Sequence, residues 1–292
     1  MDQLGHKIKH YRKKLGLSQH ALSYNICDQS VISRIENNEF IPSSYILLKL
    51  SQKLMVDIEY LLGENTTLTY NYIKEVKDQL DIARRNRDYD AIYDLVRIEE
   101  NNTLFNSGEN KKYLMWHKGI VQYHKLQNAE LAINTLKTNL SSEVNNSLYS
   151  ELDINILNSL GIMYRFDKDL ENAKKYIKQA IDIVSRNDED LINPRIELKL
   201  FYNYAKVLTD LNQANDSNKV CLKGINKCKK NETLFLFGEF HYQFGRNCII
   251  LGRDDGIEYW EQAHSIFNLQ GFKKLAEKTK MEIDHYKAKG EL

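Results

Sequence analysis

The sequence predicts an all-α chain in two parts, and three observations predict it. Only 2 prolines and 13 glycines interrupt 292 residues rich in Leu, Lys, Glu and Asn, a composition that suits helices with few sharp breaks. Apolar residues recur at three- and four-residue spacing in one stretch after another. The length exceeds one small core, so two or more domains are expected. The pattern changes near residue 66, from short helices to a longer period of paired helices.

The first part reads as five short helices. Leu4, Ile8, Tyr11 and Leu15 form one apolar stripe, and Gly16 ends that helix. Ser18 caps a second helix with Ala21, Leu22 and Ile26 inward. Asp28 is placed to cap a third, whose buried face is Val31, Ile32 and Ile35. Asn38 follows as a left-handed stop, since Asn is second only to Gly there. Pro42 and Ser43 open a fourth helix carrying Ile46, Leu47, Leu50 and Leu54, and a short fifth lies around Ile58, Leu61 and Leu62.

The close pairing of the second and third helices is a helix-turn-helix. A third helix that enters a major groove must show hydrogen-bonding side chains on its outer face. Gln29, Ser30, Ser33 and Arg34 supply that face, with Asn37 at its end. Gln and Arg suit adenine and guanine edges respectively. Gln19, near a helix start, is expected to meet a phosphate. Net charge is only +1, so bulk charge predicts no nucleic acid. The first fifteen residues, however, carry Lys7, Lys9, Arg12, Lys13 and Lys14 against Asp2 alone, a local source of phosphate attraction. Any one of these side chains would equally suit a solvated bundle surface. The whole stretch does not: S-Q-x-x-L, S-x-I-S-R-I-E-N, P-S-x-x-x-L and L-x-V-x-x-x-x-L-L follow in order. They resemble the lambda-repressor-like (XRE-type) DNA-binding family over residues 1–64, with Asn38 where that family usually has Gly. The expected first domain is 1–66.

Residues 67–292 form the expected second domain. Thr66–Thr69 reads as a polar junction and Tyr70–Ala83 as a linker helix. Beyond it, Leu157, Leu160, Gly161 and Tyr164 share one helix, and Ala173, Ile177 and Ala180 the next. Phe201, Tyr204, Ala205 and Leu208 repeat the pattern, as do Phe244, Gly245 and Cys248 followed by Gly256, Trp260 and Ala263. Met115, Gly119 and Ala129 make a weaker copy, and Tyr89, Ile92 and Leu95 a degenerate one. The pattern resembles the tetratricopeptide (TPR) repeat, in which small residues let paired helices approach. Gly161, Ala205 and Gly245 recur every 40–44 residues, against about 34 in the standard repeat, so the helices are longer. About five pairs are expected, with Lys273–Lys287 closing a TPR-like α-solenoid.

Such a stack leaves a concave face lined by each first helix. Its open positions are Asn158 and Ile162; Tyr202, Asn203 and Lys206; and Tyr242 and Gln243. Asn and Gln on a groove wall pair with both the N–H and C=O of an extended peptide. A lone amide there would equally be solvated; three amides on three repeats favour a clamp.

A lambda-repressor-like domain followed by a TPR stack resembles the RNPP family of peptide-pheromone receptors from Gram-positive bacteria. "RDYDAIYDLV", "LNSLGIMY", "YNYAKVL" and "YQFG" carry that likeness. The resemblance implies a homodimer on a palindromic duplex, switched by a short signalling peptide in the groove. It implies that Asn158, Asn203 and Gln243 hold the peptide backbone and that Arg85 or Arg87 meets its negative end. Two other readings remain: a TPR-fused repressor with a protein effector or none, and a Rap-like scaffold that acts by binding proteins.

An enzyme is not expected, for there is no Gly-rich phosphate loop, metal-ligand cluster or nucleophile motif. His117, His124, His241 and His264 are scattered and read as structural. No metal or cofactor is expected. Cys27, Cys221, Cys228 and Cys248 form no C-x-x-C pair and read as reduced thiols. The basic start lacks an apolar signal region, and no apolar run approaches the roughly 18–20 residues of a membrane span. A soluble, cytoplasmic chain is expected.

Overall fold

A computed structural model describes residues 4–62, 64–140, 149–186 and 193–290. These form sixteen α-helices and one 3-10 turn, with no strand among the described residues. The chain divides into two compact units between Arg87 and Asp88.

The first unit holds α1 (Leu4–Lys14), α2 (Gln19–Ser23), α3 (Gln29–Glu36), α4 (Ser44–Leu54), α5 (Ile58–Leu62) and α6 (Glu64–Asn86). Ile8, Leu22, Ile32, Ile35, Leu47, Leu50, Leu54 and Leu61 meet in one core. The helix stops are the expected ones, Gly16 at φ 68° and Asn38 at φ 59°. Ser18 Oγ accepts from the Ala21 N–H and Ser43 Oγ from the Ile46 N–H. Asp28 occupies the N-cap of α3, but its side chain makes no capping bond. Gly5 lets α1 cross the end of α3 closely: a Cβ there would stand 2.2 Å from Ile35 O. The Gly5 N–H donates to Asn38 Oδ1 at 3.1 Å. The linker helix is longer than Tyr70–Ala83. It begins at Glu64, so Thr66–Thr69 are helical and no junction breaks there. No Gly or Pro stands in this segment to stop a helix.

The second unit opens with α7 (Tyr89–Glu99) and the 3-10 turn Thr103–Phe105. Four helix pairs follow: α8 (Gly108–His124) with α9 (Ala129–Thr138), α10 (Glu151–Phe166) with α11 (Leu170–Arg186), α12 (Pro194–Asp210) with α13 (Ala214–Lys230), and α14 (Phe237–Ile250) with α15 (Gly256–Leu269). α16 (Lys273–Gly290) packs on α15 and ends the stack. This is four complete pairs with a single helix at each end, against an expectation of about five. The small residues act as predicted. A Cβ on Gly161 would lie 2.3 Å from Ile177 Cγ1, and one on Gly245 would lie 2.7 Å from both Gly256 O and Trp260 Cδ1. Each pair turns through one left-handed residue: Gln127, Lys168, Asn212 and Gly252. Three of these are not glycine, which costs roughly 1–2 kcal/mol apiece and hides the turns from a glycine count. The first helices α8, α10, α12 and α14 lie side by side, so their open faces form one continuous wall.

Candidate nucleic-acid interface and concave groove

α3 divides its residues as its periodicity predicts. Ile32 and Ile35 are fully buried, while Gln29, Ser30, Arg34 and Asn37 are exposed and Ser33 is half-buried. Arg34 holds its guanidinium 5.2 Å from the Phe40 ring, a cation–π contact that limits where it points. Lys13 is exposed at the end of α1. The basic segment is smaller than the sequence suggests. Arg12 is buried, and Lys7 donates to Tyr60 O at 2.8 Å.

Arg12 has a different task. Its Nε and Nη2 donate to the two Glu36 oxygens at 2.5 and 2.9 Å, a bidentate pair between α1 and the end of α3. Gln19 Nε2 also donates to Glu36 Oε2, at 2.9 Å, and Gln19 Oε1 accepts from Gln29 Nε2 at 2.7 Å. A chain of bonds thus runs from α1 through α3 and α2 to the outer face of α3. It fixes the two glutamines that the sequence assigns to phosphate and base. Burial alone pushes the Glu36 carboxyl up. The bonds from Arg12 and Gln19 and the charges of Arg12 and Lys9 outweigh it and hold the group below its usual range.

In the second unit the predicted amides fall on the inner wall, but not all as open clamps. Asn203 Nδ2 donates to Asn158 Oδ1 at 3.0 Å, joining α12 to α10. Tyr202 lies edge-on to Phe240 and under the Lys206 ammonium, 4.9 Å from its ring centre. Burial pushes the Tyr202 phenol up to about 12. Tyr242 donates its hydroxyl to Glu282 of α16 at 2.6 Å.

Gln243 departs from the expectation. It is 2% exposed, and its Nε2 donates to Thr209 Oγ1 at 2.7 Å. Thr209 Oγ1 and Asn247 Oδ1 are 2.7 Å apart, and Asn247 Nδ2 donates to Ser217 Oγ and Asn218 Oδ1 at 2.7 and 2.9 Å. This buried network locks α12, α13 and α14 in register, since each member left alone would carry a desolvation penalty. Gln243 turns inward because Thr209 Oγ1 and Asn247 Oδ1 both accept from its Nε2. Arg85 and Arg87 are exposed at the end of α6 and belong to the first unit.

The RNPP family C-terminal domain matches residues 77–285, most of the chain. The chain belongs to the RNPP family. The helix-turn-helix family matches residues 8–61, the segment that carries the Arg12–Glu36–Gln19–Gln29 chain. Three solved structures share the fold of this RNPP chain over nearly its whole length. PlcR of Bacillus thuringiensis, in complex with the peptide PapR7 and DNA, is 24% identical, with 96% of this chain and 99% of that chain covered and a TM-score of 0.75. The SHP pheromone receptor Rgg2 of Streptococcus dysgalactiae is 18% identical, covering 97% and 99%, with a TM-score of 0.60. ComR of S. thermophilus, in complex with DNA and its signalling peptide, is 15% identical, covering 96% and 98%, with a TM-score of 0.62. No curated protein matches the sequence. Among the described residues no helix is long and apolar enough to cross a membrane.

Three residues of this RNPP chain escape the sequence motifs. Glu36 stands inside the motif S-x-I-S-R-I-E-N with no role assigned to it, yet it joins α1, α2 and α3. Gly5 sits in the first turn of α1, where the tight crossing with α3 explains it. Arg246, one residue after Gly245, holds on α14 the place that Ile162 and Lys206 hold on α10 and α12. The same spacing signal marks all three.

Proposed function

We propose that this RNPP chain is a DNA-binding transcriptional regulator whose operator affinity is set by a short signalling peptide bound along the concave wall of its second unit. The observation that carries the reading is the double family match, a helix-turn-helix at 8–61 and the RNPP domain at 77–285. Gln29, Ser30, Ser33, Arg34 and Asn37 contact base edges, while Gln19 and Lys13 contact phosphates. Residues 1–66 read the duplex and residues 67–292 bind peptide and hold a homodimer. Two copies place two recognition helices on a palindromic operator with half-sites about one helical turn apart or a multiple of it. The activity is regulatory and no catalytic step is assigned.

Asn158 and Asn203 hold the peptide backbone, with Tyr202, Lys206 and Tyr242 as walls. Gln243 joins them only by leaving Thr209. Crossing α10, α12 and α14 at about 9–10 Å per helix takes roughly five to eight extended residues. Peptide and DNA then change each other's affinity by the same factor.

The test is selection from a random duplex library by the full-length protein, followed by titration with the peptide encoded in a small reading frame beside the gene. A two-fold palindrome whose affinity shifts with peptide is the expected result. A palindrome indifferent to every such peptide supports instead a repressor with a protein effector, and recovery of no preferred duplex overturns the DNA reading.

A further inference from the structure

The amides do not use up the inner wall of α14. Gly238 and Gly245 set one side of this helix on α15, where added Cβ atoms would meet Phe267 and Trp260 at 2.7 Å. Phe240, Phe244 and Cys248 turn another side into the core shared with α13. Glu239, Tyr242 and Arg246 remain, at the i, i+3, i+7 spacing of one helical face. Tyr242 is engaged with Glu282. Arg246 is half-buried and makes no hydrogen bond or ion pair among the described residues.

Its surroundings single it out. Neighbouring inner-wall cations already hold carboxylates: Arg165 pairs with Asp210 at 2.7 Å and Lys278 with Glu282 at 3.9 Å. Glu239 lies two turns back on α14, about 10 Å along the axis, too far for an ion pair. Tyr242 stands one turn before Arg246 on the same face of α14. A half-desolvated guanidinium presents a planar fork of donors that matches a carboxylate bidentately.

We propose that Arg246 is a carboxylate-binding subsite of the groove, taking an acidic side chain or the free C-terminus of the effector peptide beside Tyr242. The inference rests on the peptide-binding reading and sharpens it. It puts the anionic contact on the wall that carries Asn158 and Asn203, and not on Arg85 or Arg87.

The experiment uses the full-length protein and a synthetic random heptapeptide library with free C-termini, read by affinity selection and mass spectrometry. A second library is amidated at the C-terminus, so that side-chain and terminal carboxylates are told apart. Wild type is expected to retain peptides enriched in Asp or Glu at one position, or to lose binding with the amidated library. Binding of the retained peptides should fall at least tenfold in Arg246→Gln and recover in Arg246→Lys, while Arg85→Gln and Arg87→Gln leave it unchanged. Operator binding by the peptide-free variants reports their folding. Peptides retained without any need for a carboxylate overturn the subsite and leave the peptide groove standing. So does a carboxylate preference that survives Arg246→Gln but disappears in Arg85→Gln or Arg87→Gln. Retention of no peptide by wild type overturns the groove and the subsite together.

Discussion

The side-chain amide of Asn203 donates to Asn158 Oδ1 at 3.0 Å and ties α12 to α10. The bond uses one donor and one acceptor. It leaves Asn158 Nδ2 and Asn203 Oδ1 as the donor and the acceptor that the proposed peptide backbone would use. Asn203→Ala should therefore lower peptide affinity by about 1–3 kcal/mol and stability by about 1 kcal/mol. A double-mutant cycle with Asn158→Ala, read by calorimetry, should show coupling of at least about 0.5 kcal/mol. Strictly additive losses would mean that the two amides act separately.

Arg34 stands exposed over Phe40, while Lys13 stands exposed in the last turn of α1. Arg34→Ala should cost about 1–3 kcal/mol at one base pair of the operator and relax specificity there. Lys13→Ala should weaken all duplexes alike and reduce the salt slope by about 1. Anisotropy titrations over a set of operator variants separate the two. An Arg34→Ala protein that ranks the variants as wild type does would remove Arg34 from the groove.

The fold was legible because its signals are local. Gly16, Ser18, Asn38 and Ser43 act within a turn of where they stand, and Gly161 and Gly245 announce close helix pairs by size alone. The linker helix was not legible at its start, since Thr66–Thr69 look like a break but carry neither Gly nor Pro. Sequence spacing placed Gln243 on the inner face of α14 but could not show that Thr209, 34 residues away on α12, would draw its amide inward. The fate of Arg12 was hidden for the same reason, because its partner lies 24 residues away on another helix.

Arg12 and Glu36 are a buried pair, and breaking one partner strands the other. Arg12→Ala should destabilise the first unit by about 3–5 kcal/mol, whereas replacing both by apolar residues of similar volume should recover most of the loss. The Glu36 carboxyl is held below its ordinary value of 4.5 in the folded chain. A depressed carboxylate contributes stability that is present above the unfolded value and lost as pH falls through the folded one. Acid unfolding of the first unit should thus begin below about pH 4.5. Glu36→Gln should flatten that limb in a fluorescence titration. A wild-type acid limb retained in Glu36→Gln would assign it to other carboxylates.

Glu239 presents the opposite sign. It stands in the first turn of α14, half-buried, and its Oε2 has no hydrogen-bond partner. Burial pushes its carboxyl above the ordinary value of 4.5, and a bond from its own backbone N–H only partly offsets this. A raised carboxyl contributes stability that is fully present below the unfolded value and lost as pH rises through the folded one. Ionising this carboxyl in the folded chain is therefore a strain on the fold. Glu239→Gln should make the chain more stable than wild type at pH 7, by about 1 kcal/mol. Near pH 4, where the wild-type carboxyl carries its proton, the two should converge. Thermal unfolding from pH 4 to 8 checks this, and parallel curves for the two proteins would show that the Glu239 charge is already compensated in the folded chain.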